Sequence, residues 1–159
     1  MKKIQIPVFI DEFDAEELSE DVRRLMQEAV AAREKAYAPY SHFRVGAAVL
    51  LEDGTVVTGN NQENAAFPSG MCAERVAVWY AGSRYPDKKI LKIFITARSE
   101  RKIIDKPVPP CGACRQSMAE YEVKQHQAIE IYFMGEKGKI WRSPSVLNLL
   151  PLVFEADNL

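Results

Sequence analysis

The chain has 159 residues, of which 47% are hydrophobic and 27% charged, so it has a globular composition and enough length to bury a core. Its 21 basic and 22 acidic side chains leave a net charge of −1, which argues against general nucleic-acid binding because phosphates require an excess of basic charge. We find no apolar run near the roughly 20 residues of a membrane span and no secretory signal, and we therefore expect a cytoplasmic protein with no membrane partner.

The first half of the chain predicts a helix, a hairpin and a second helix. Apolar side chains at steps of three and four predict a helix over 14–37. Residues 43–60 predict two strands joined by a tight turn at Asp53 and Gly54. A helix over 72–83 should follow, so this half reads α-β-β-α.

The second half predicts three strands and two helical segments around a charged, proline-rich loop. In chain order these are a strand at 90–97, the loop at 98–110, a helix at 111–122, a strand at 128–135, a short strand at 139–141 and helical turns at 143–150. This alternation favours an α/β fold, namely a single three-layer domain with a mixed five-stranded sheet and helices on both faces. We expect one domain over 1–159, with an N-terminal extension over 1–15 to which the sequence assigns no role.

The three cysteines lie where helices are predicted to begin. Cys72 opens one helix, and Cys111 and Cys114 lie on the first turn of the next. Free N–H groups at a helix N-terminus favour the thiolate over the thiol. If both helices start at one edge of the sheet, the three sulfurs could converge. Three protein ligands and a water are typical of a catalytic zinc, whereas a structural zinc usually has four protein ligands.

Other interpretations of these cysteines are open from spacing alone. A C-x-x-C pair in an intracellular protein is often redox-active, and Cys72 by itself would most often be a small buried residue. His42 and His126 lie in no ligand pattern and are expected to be ordinary histidines.

Glu74 changes the balance between these interpretations. It stands two residues after Cys72, and the second motif reads Pro-Cys-x-x-Cys at 110–114. A metal ligand followed by x-Glu, and later by Pro-Cys-x-x-Cys, is the pattern of zinc-dependent nucleobase deaminases. In that class the glutamate does not bind zinc but transfers protons.

Four ordered segments extend this pattern along the chain. They are YAPYSHFRVGAAVL at 37–50, GNNQENAAFPSGMCAER at 59–75, PCGACRQ at 110–116 and LLPLVF at 149–154. With these segments the chain resembles the small homotetrameric cytidine deaminases from about Leu25 to Leu159. Asn60 and Gln62 depart from the family, in which cysteine and isoleucine are common at these positions.

The resemblance implies one zinc ion per chain, held by the three cysteines, with Glu74 as the proton shuttle. Zn²⁺ with three thiolates has a net charge of −1, which disfavours loss of a proton from bound water. We therefore expect a cation to withdraw charge from the sulfurs, and the candidates are Arg75 and Arg115. The alternative for either arginine is a solvated surface charge.

The resemblance also implies contacts to a nucleoside. Asn61 and Glu63 would bind the ribose hydroxyl, and Phe43 would line the pyrimidine pocket. Phe154 would pack on the base in a neighbouring subunit's site. Backbone groups of Ala73, and of Ala65 from another subunit, would also contact the ligand.

The reaction so implied is hydrolytic deamination of cytidine and 2′-deoxycytidine to uridine and 2′-deoxyuridine plus ammonia, a step of pyrimidine salvage. A related aminonucleoside deaminase, such as one acting on blasticidin, is the nearest alternative. A zinc-stabilised binding protein without turnover is another, although a structural zinc needs no carboxylate such as Glu74. A polynucleotide deaminase is disfavoured, because binding single strands requires a basic groove.

Overall fold

The structure is a computed structural model that describes residues 1–156. Residues 157–159, which end the predicted domain and the family resemblance, lie outside the described residues. The strands are β1 (Asp11–Phe13), β2 (Phe43–Leu51), β3 (Val56–Asn60), β4 (Ile90–Ser99), β5 (Glu130–Met134) and β6 (Ile140–Ser143). The helices are α1 (Glu20–Glu34), α2 (Ala73–Arg84), α3 (Gly112–Gln125) and α4 (Val146–Leu149), with 3-10 turns at Ala15–Glu17 and Phe67–Ser69.

The strands form one mixed sheet in the order β1-β6-β5-β4-β2-β3, in which β4 and β5 are parallel and the other pairs antiparallel. Alternate side chains of each strand enter two separate cores, as the two-residue period of a strand requires. Ala48 and Leu50 of β2 face α1, whereas Ala47 and Val49 face the layer of α2, α3 and α4. The predicted α/β class and three-layer arrangement are confirmed.

The predicted number of strands was wrong, because the N-terminal extension supplies a sixth. Residues 11–13 pair antiparallel with β6, with Asp11 opposite Arg142. Asp11 accepts a charged hydrogen bond from Arg142 at 2.6 Å, and Glu12 accepts one from the indole of Trp141 at 2.8 Å. The long helix is also shorter than predicted: it begins at Glu20 because residues 15–17 form a separate 3-10 turn.

The topology brings several chain segments to one edge of the sheet. Strands β3 and β4 both run antiparallel to β2, so they point the same way. The segments that leave β3 and β4 lead to α2 and α3, and both helices therefore begin beyond the same edge, where β2 also starts. Gly59 in β3 allows α2 to pack closely, since a Cβ there would lie 2.6 Å from the backbone nitrogen of Ala77.

None of the helices in the described part of the chain combines the length and the apolar character that crossing a membrane requires.

Candidate functional site

The three cysteines meet at the N-termini of α2 and α3. Cys72 is the N-cap of α2, Cys111 is the N-cap of α3, and Cys114 lies in the first turn of α3. Their sulfur atoms all lie within 4.8 Å of one another, and no other potential metal-binding group of three such side chains is found within residues 1–156. The Sγ atoms of Cys111 and Cys114 are 3.5 Å apart, too far for a disulfide and close to the separation of two sulfurs on one tetrahedral zinc.

One negative charge is already favoured in this cluster. The Cys114 thiol donates to Cys72, and this hydrogen bond, the largest cause, lowers the pKa of Cys72 to about 5. Burial opposes the shift, and a further hydrogen bond from Arg75 adds to it. The same hydrogen bond to Cys72, together with burial, raises the pKa of Cys114. Cys72 is therefore the cysteine of the pair that ionises more easily.

Arg75 lies against the sulfur cluster, as we expected of a charge-withdrawing cation. Its Nη2 atom is 3.5 Å from the Sγ atom of Cys72, and its guanidinium packs over the ring of Trp79 at 5.7 Å. The Nε atom is buried and has no hydrogen-bond partner among the described residues. A buried donor beside sulfur suits a set of metal-bound thiolates, so the donor set and its surroundings fit zinc.

Arg115 has different partners. Its guanidinium donates to the backbone oxygens of Pro110 and Leu149, each at 2.9 Å. Both are neutral carbonyls, so in this structure the Arg115 guanidinium makes its hydrogen bonds to the backbone and not to the sulfurs. The sequence placed Arg115 beside the ligands but could not indicate the direction of its long side chain.

Glu74 lies in the first turn of α2, next to the sulfur cluster, and is only 5% exposed. Burial, with the negative charge of Cys72 as a smaller cause, raises the pKa of the Glu74 carboxyl. Near an opening at which a ligand can enter, a carboxyl group with a raised pKa can both take up and release a proton.

An open cavity of about 820 Å³ leads to this cluster. Its lining includes Cys72, Glu74, Phe43, Val108 and Pro109. Most of the remaining lining residues come from β2, from the turn before it and from the segment between β3 and α2, with one residue each from β4, α2 and the start of α3. The cavity is thus built from the segments that the topology brings to one edge of the sheet.

Asn61 and Glu63 line the same cavity, and both are held in place. Asn61 Nδ2 donates to the Phe43 oxygen at 2.9 Å, and its Oδ1 accepts from the Val45 N–H at 2.7 Å. The Glu63 carboxylate accepts from the N–H groups of Tyr40 and Ser41 at 2.9 and 3.2 Å, and from the Ser41 hydroxyl.

The turn that holds Glu63 ends at His42, whose φ of 56° is unusual for a residue other than glycine. The His42 N–H donates to the Ala38 oxygen, which closes the turn and directs the preceding N–H groups at Glu63. Sequence reasoning missed Tyr40 and Ser41 as contributors, although both lie within the first family-like segment. The His42 side chain points away to Glu100, at 3.0 Å.

The remaining predicted residues do not line the cavity of this chain. Ala73 is fully buried at the start of α2. Ala65 and Phe154 are exposed and do not belong to the cavity lining of their own chain. Phe67, which the sequence did not single out, is 74% exposed and meets the Tyr40 ring edge-on at 5.9 Å.

Comparison with known proteins agrees with this site. Residues 19–130 match the model of the cytidine and deoxycytidylate deaminase zinc-binding region. A cytidine deaminase from Halalkalibacterium halodurans is 42% identical over 139 residues, which are 87% of this chain and 98% of that protein. A probable cytidine deaminase from Dictyostelium discoideum is 39% identical over 140 residues, or 88% of each chain.

Solved structures are similar as well. The 1.6 Å crystal structure of cytidine deaminase from Burkholderia pseudomallei has a TM-score of 0.73 at 36% identity, covering 86% of this chain and all of that one. Cytidine deaminase from Mycobacterium tuberculosis has a TM-score of 0.66 at 31% identity, covering 86% of this chain and 99% of that one.

Proposed function

Because the chain belongs to the cytidine and deoxycytidylate deaminase zinc-binding family, we propose that it is an enzyme that hydrolyses the C4 amino group of cytidine and 2′-deoxycytidine. The products are uridine or 2′-deoxyuridine and ammonia. The observation that carries the proposal is the buried Glu74 carboxyl beside three converging cysteine sulfurs, where Glu74, Cys72 and Cys111 help to line an open cavity. The whole chain, 1–159, would form one deaminase domain, with 1–15 as its N-terminal extension.

Cys72, Cys111 and Cys114 would hold the zinc ion. When bound, zinc supplies a water whose pKa falls from about 15.7 to about 7. Arg75 would offset the excess negative charge of three thiolates, because its guanidinium already contacts Cys72.

Glu74 would move the protons. Water has to add to C4 of the base, and the proton that it loses passes to the Glu74 carboxylate. Glu74 then passes this proton to N3, which makes C4 a better electrophile. It next takes the remaining proton of the hydroxyl group now on C4 and gives it to the amino nitrogen, which leaves as ammonia while the C4 carbonyl forms. The raised pKa of Glu74, caused mainly by burial, suits a group that must accept a proton and give it back in each cycle.

Asn61 and Glu63 would recognise the ribose. The Oδ1 of Asn61 and one N–H of its amide are used by the β2 backbone, which leaves the second N–H to donate to a hydroxyl. Glu63 would accept from a hydroxyl. Phe43 would pack on the pyrimidine, and the backbone at Ala73, at the start of α2, would contact its polar edge.

The cavity favours a nucleoside over a nucleotide. Among the described lining residues Arg75 is the one cationic side chain, and it faces Cys72. A phosphate would therefore find no free positive charge in the wall of the cavity, and we expect CMP to be a poor substrate.

A homotetramer with shared sites is part of the proposal. Phe154 is 60% exposed, and Ala65 is exposed in the segment before α2. Neither lies in the cavity of its own chain, so each would complete the site of a neighbouring subunit. A cytoplasmic location follows from the same site, since zinc ligation needs three reduced thiolates.

The proposal is tested by incubating the purified protein with cytidine, 2′-deoxycytidine, cytosine, CMP and a cytosine-containing oligonucleotide, and measuring ammonia release. We expect turnover of the two nucleosides, with little on the other three. Turnover of blasticidin in preference to cytidine would indicate the related aminonucleoside deaminase. A zinc-loaded protein that deaminates none of these compounds would be a zinc-stabilised binding protein.

A further inference from the structure

Helix α3 carries a buried carboxylate that the reaction does not use. Glu122 is 5% exposed, and its Oε2 accepts from the N–H groups of Ile129 and Val146, each at 2.8 Å. Its Oε1 accepts from the N–H of Leu147 at 3.2 Å. Val146 and Leu147 form the first turn of α4, so Glu122 binds N–H groups that have no partner within that helix.

Arg115 holds the other end of the same short helix. It lies seven residues before Glu122, two turns away on one face of α3, and donates to the carbonyl of Leu149. The N-terminus of a helix carries a partial positive charge and its C-terminus a partial negative one, so a carboxylate at the start of α4 and a guanidinium at its end both stabilise the helix. A helix of one turn is not stable alone. These two side chains therefore help to stabilise α4, together with its Ser145 cap and the burial of Val146 and Leu149 in the core.

A third residue of α3 holds the chain beyond α4. Gln116 Nε2 donates to the backbone oxygen of Phe154 at 2.7 Å. The segment 146–154 is thus bound to α3 at its start, near its middle and at its end. Arg115 also donates to the backbone oxygen of Pro110, the residue immediately before the zinc-ligand candidate Cys111.

We propose that Arg115 and Glu122 are positioning residues, which clamp α4 to α3 and thereby set the place of Phe154 relative to the cysteine site. This inference rests on the proposed role of Phe154 in substrate binding. One helix then carries two of the three cysteines and also fixes the segment that would reach the neighbouring subunit's substrate. If the clamp is removed, we expect cytidine to bind more weakly while the metal site stays intact.

The experiment compares Arg115→Met, Glu122→Gln, Phe154→Ala and the double variants that combine Phe154→Ala with each of the other two. Arg115→Met should raise the KM for cytidine about three- to tenfold, the worth of one or two hydrogen bonds, with kcat and zinc content little changed. In the double variants KM should equal that of Phe154→Ala alone, because the clamp acts through Phe154. Increases in KM that multiply would overturn the proposal.

Hydrogen exchange gives a second measurement that does not need activity. In Arg115→Met and Glu122→Gln the amides of 146–154 should exchange faster, while those of β4 should not change. Glu120→Gln, on the exposed side of α3, is the matched control and should behave as wild type in both assays. Unchanged exchange in both clamp variants would also overturn the proposal. If Phe154→Ala alone leaves KM unchanged, the shared-site part of the proposed function fails, and exchange still decides on the clamp.

Discussion

Replacement of Glu63 by glutamine tests whether this carboxylate recognises the sugar. Although partial burial opposes ionisation, hydrogen bonds from Ser41 and the N–H of Tyr40 lower the pKa of Glu63, so it is charged at neutral pH. Glutamine keeps an oxygen for the two backbone N–H groups at 2.9 and 3.2 Å, and thus keeps most of the turn. The substitution therefore removes mainly the negative charge that a ribose hydroxyl would meet.

The size of the effect follows from the lost interaction. A hydrogen bond to a charged acceptor contributes about 1.5–3 kcal/mol, so kcat/KM for cytidine should fall about 10- to 150-fold. The slow rate on cytosine, which has no sugar, should change little. Ammonia release from both substrates gives this ratio. Glu100→Gln is the control, because Glu100 pairs with His42 and Arg44 outside the cavity.

An equal loss on cytidine and cytosine would refute the reasoning. It would mean that Glu63 supports the turn or the metal site rather than the ribose. Zinc analysis of the variant separates these two explanations, since a change in the turn alone leaves the cysteines loaded.

Three other changes address the metal, the proton transfer and the stability of the fold. Cys114→Ala should lose zinc and unfold at a lower temperature, and elemental analysis that finds full zinc in this variant would refute the three-cysteine site. Glu74→Gln should retain zinc but lose turnover by about 100- to 10,000-fold, because an amide cannot shuttle protons, and a variant that keeps a tenth of the activity would exclude this role. A hydrogen bond from Lys92, with a second from Ser19, lowers the pKa of Asp21 from 3.8 to about 2. This pair therefore stabilises the fold above pH 3.8 and stops doing so as pH falls to 2. Since Asp21 is 44% exposed and screened, Asp21→Asn should cost only about 0.5–1 kcal/mol at neutral pH, and thermal unfolding should show the difference from wild type vanish in acid.

The chemistry-bearing residues of the site could be predicted from sequence because their signals are local. Cys72, Cys111 and Cys114 stand at predicted helix starts, and the structure places each in the N-terminal part of α2 or α3. Glu74 is only two residues after the first cysteine, so the short motif keeps it close to the sulfur cluster. The α/β layering followed likewise from the alternation of elements.

The contacts that hold the site together depended on residues far apart in the chain. The three residues of β1 are too few for a strand signal, and they become a strand because β6, some 130 positions later, offers them a free edge. Arg115 was placed beside the ligands by its position, yet its guanidinium turned to Leu149, 34 residues away. No sequence pattern indicated a role for Glu122, since its three N–H partners come together only when α4 packs on α3.

The sequence by itself thus determined which atoms could hold zinc and move a proton, because helix starts and a short motif specify them locally. The tertiary structure alone decided which polar groups align those atoms, such as the turn at Tyr40 and Ser41 that holds Glu63. Long polar side chains have many rotamers of similar energy, and a choice among them is made only when burial leaves one set of partners within reach.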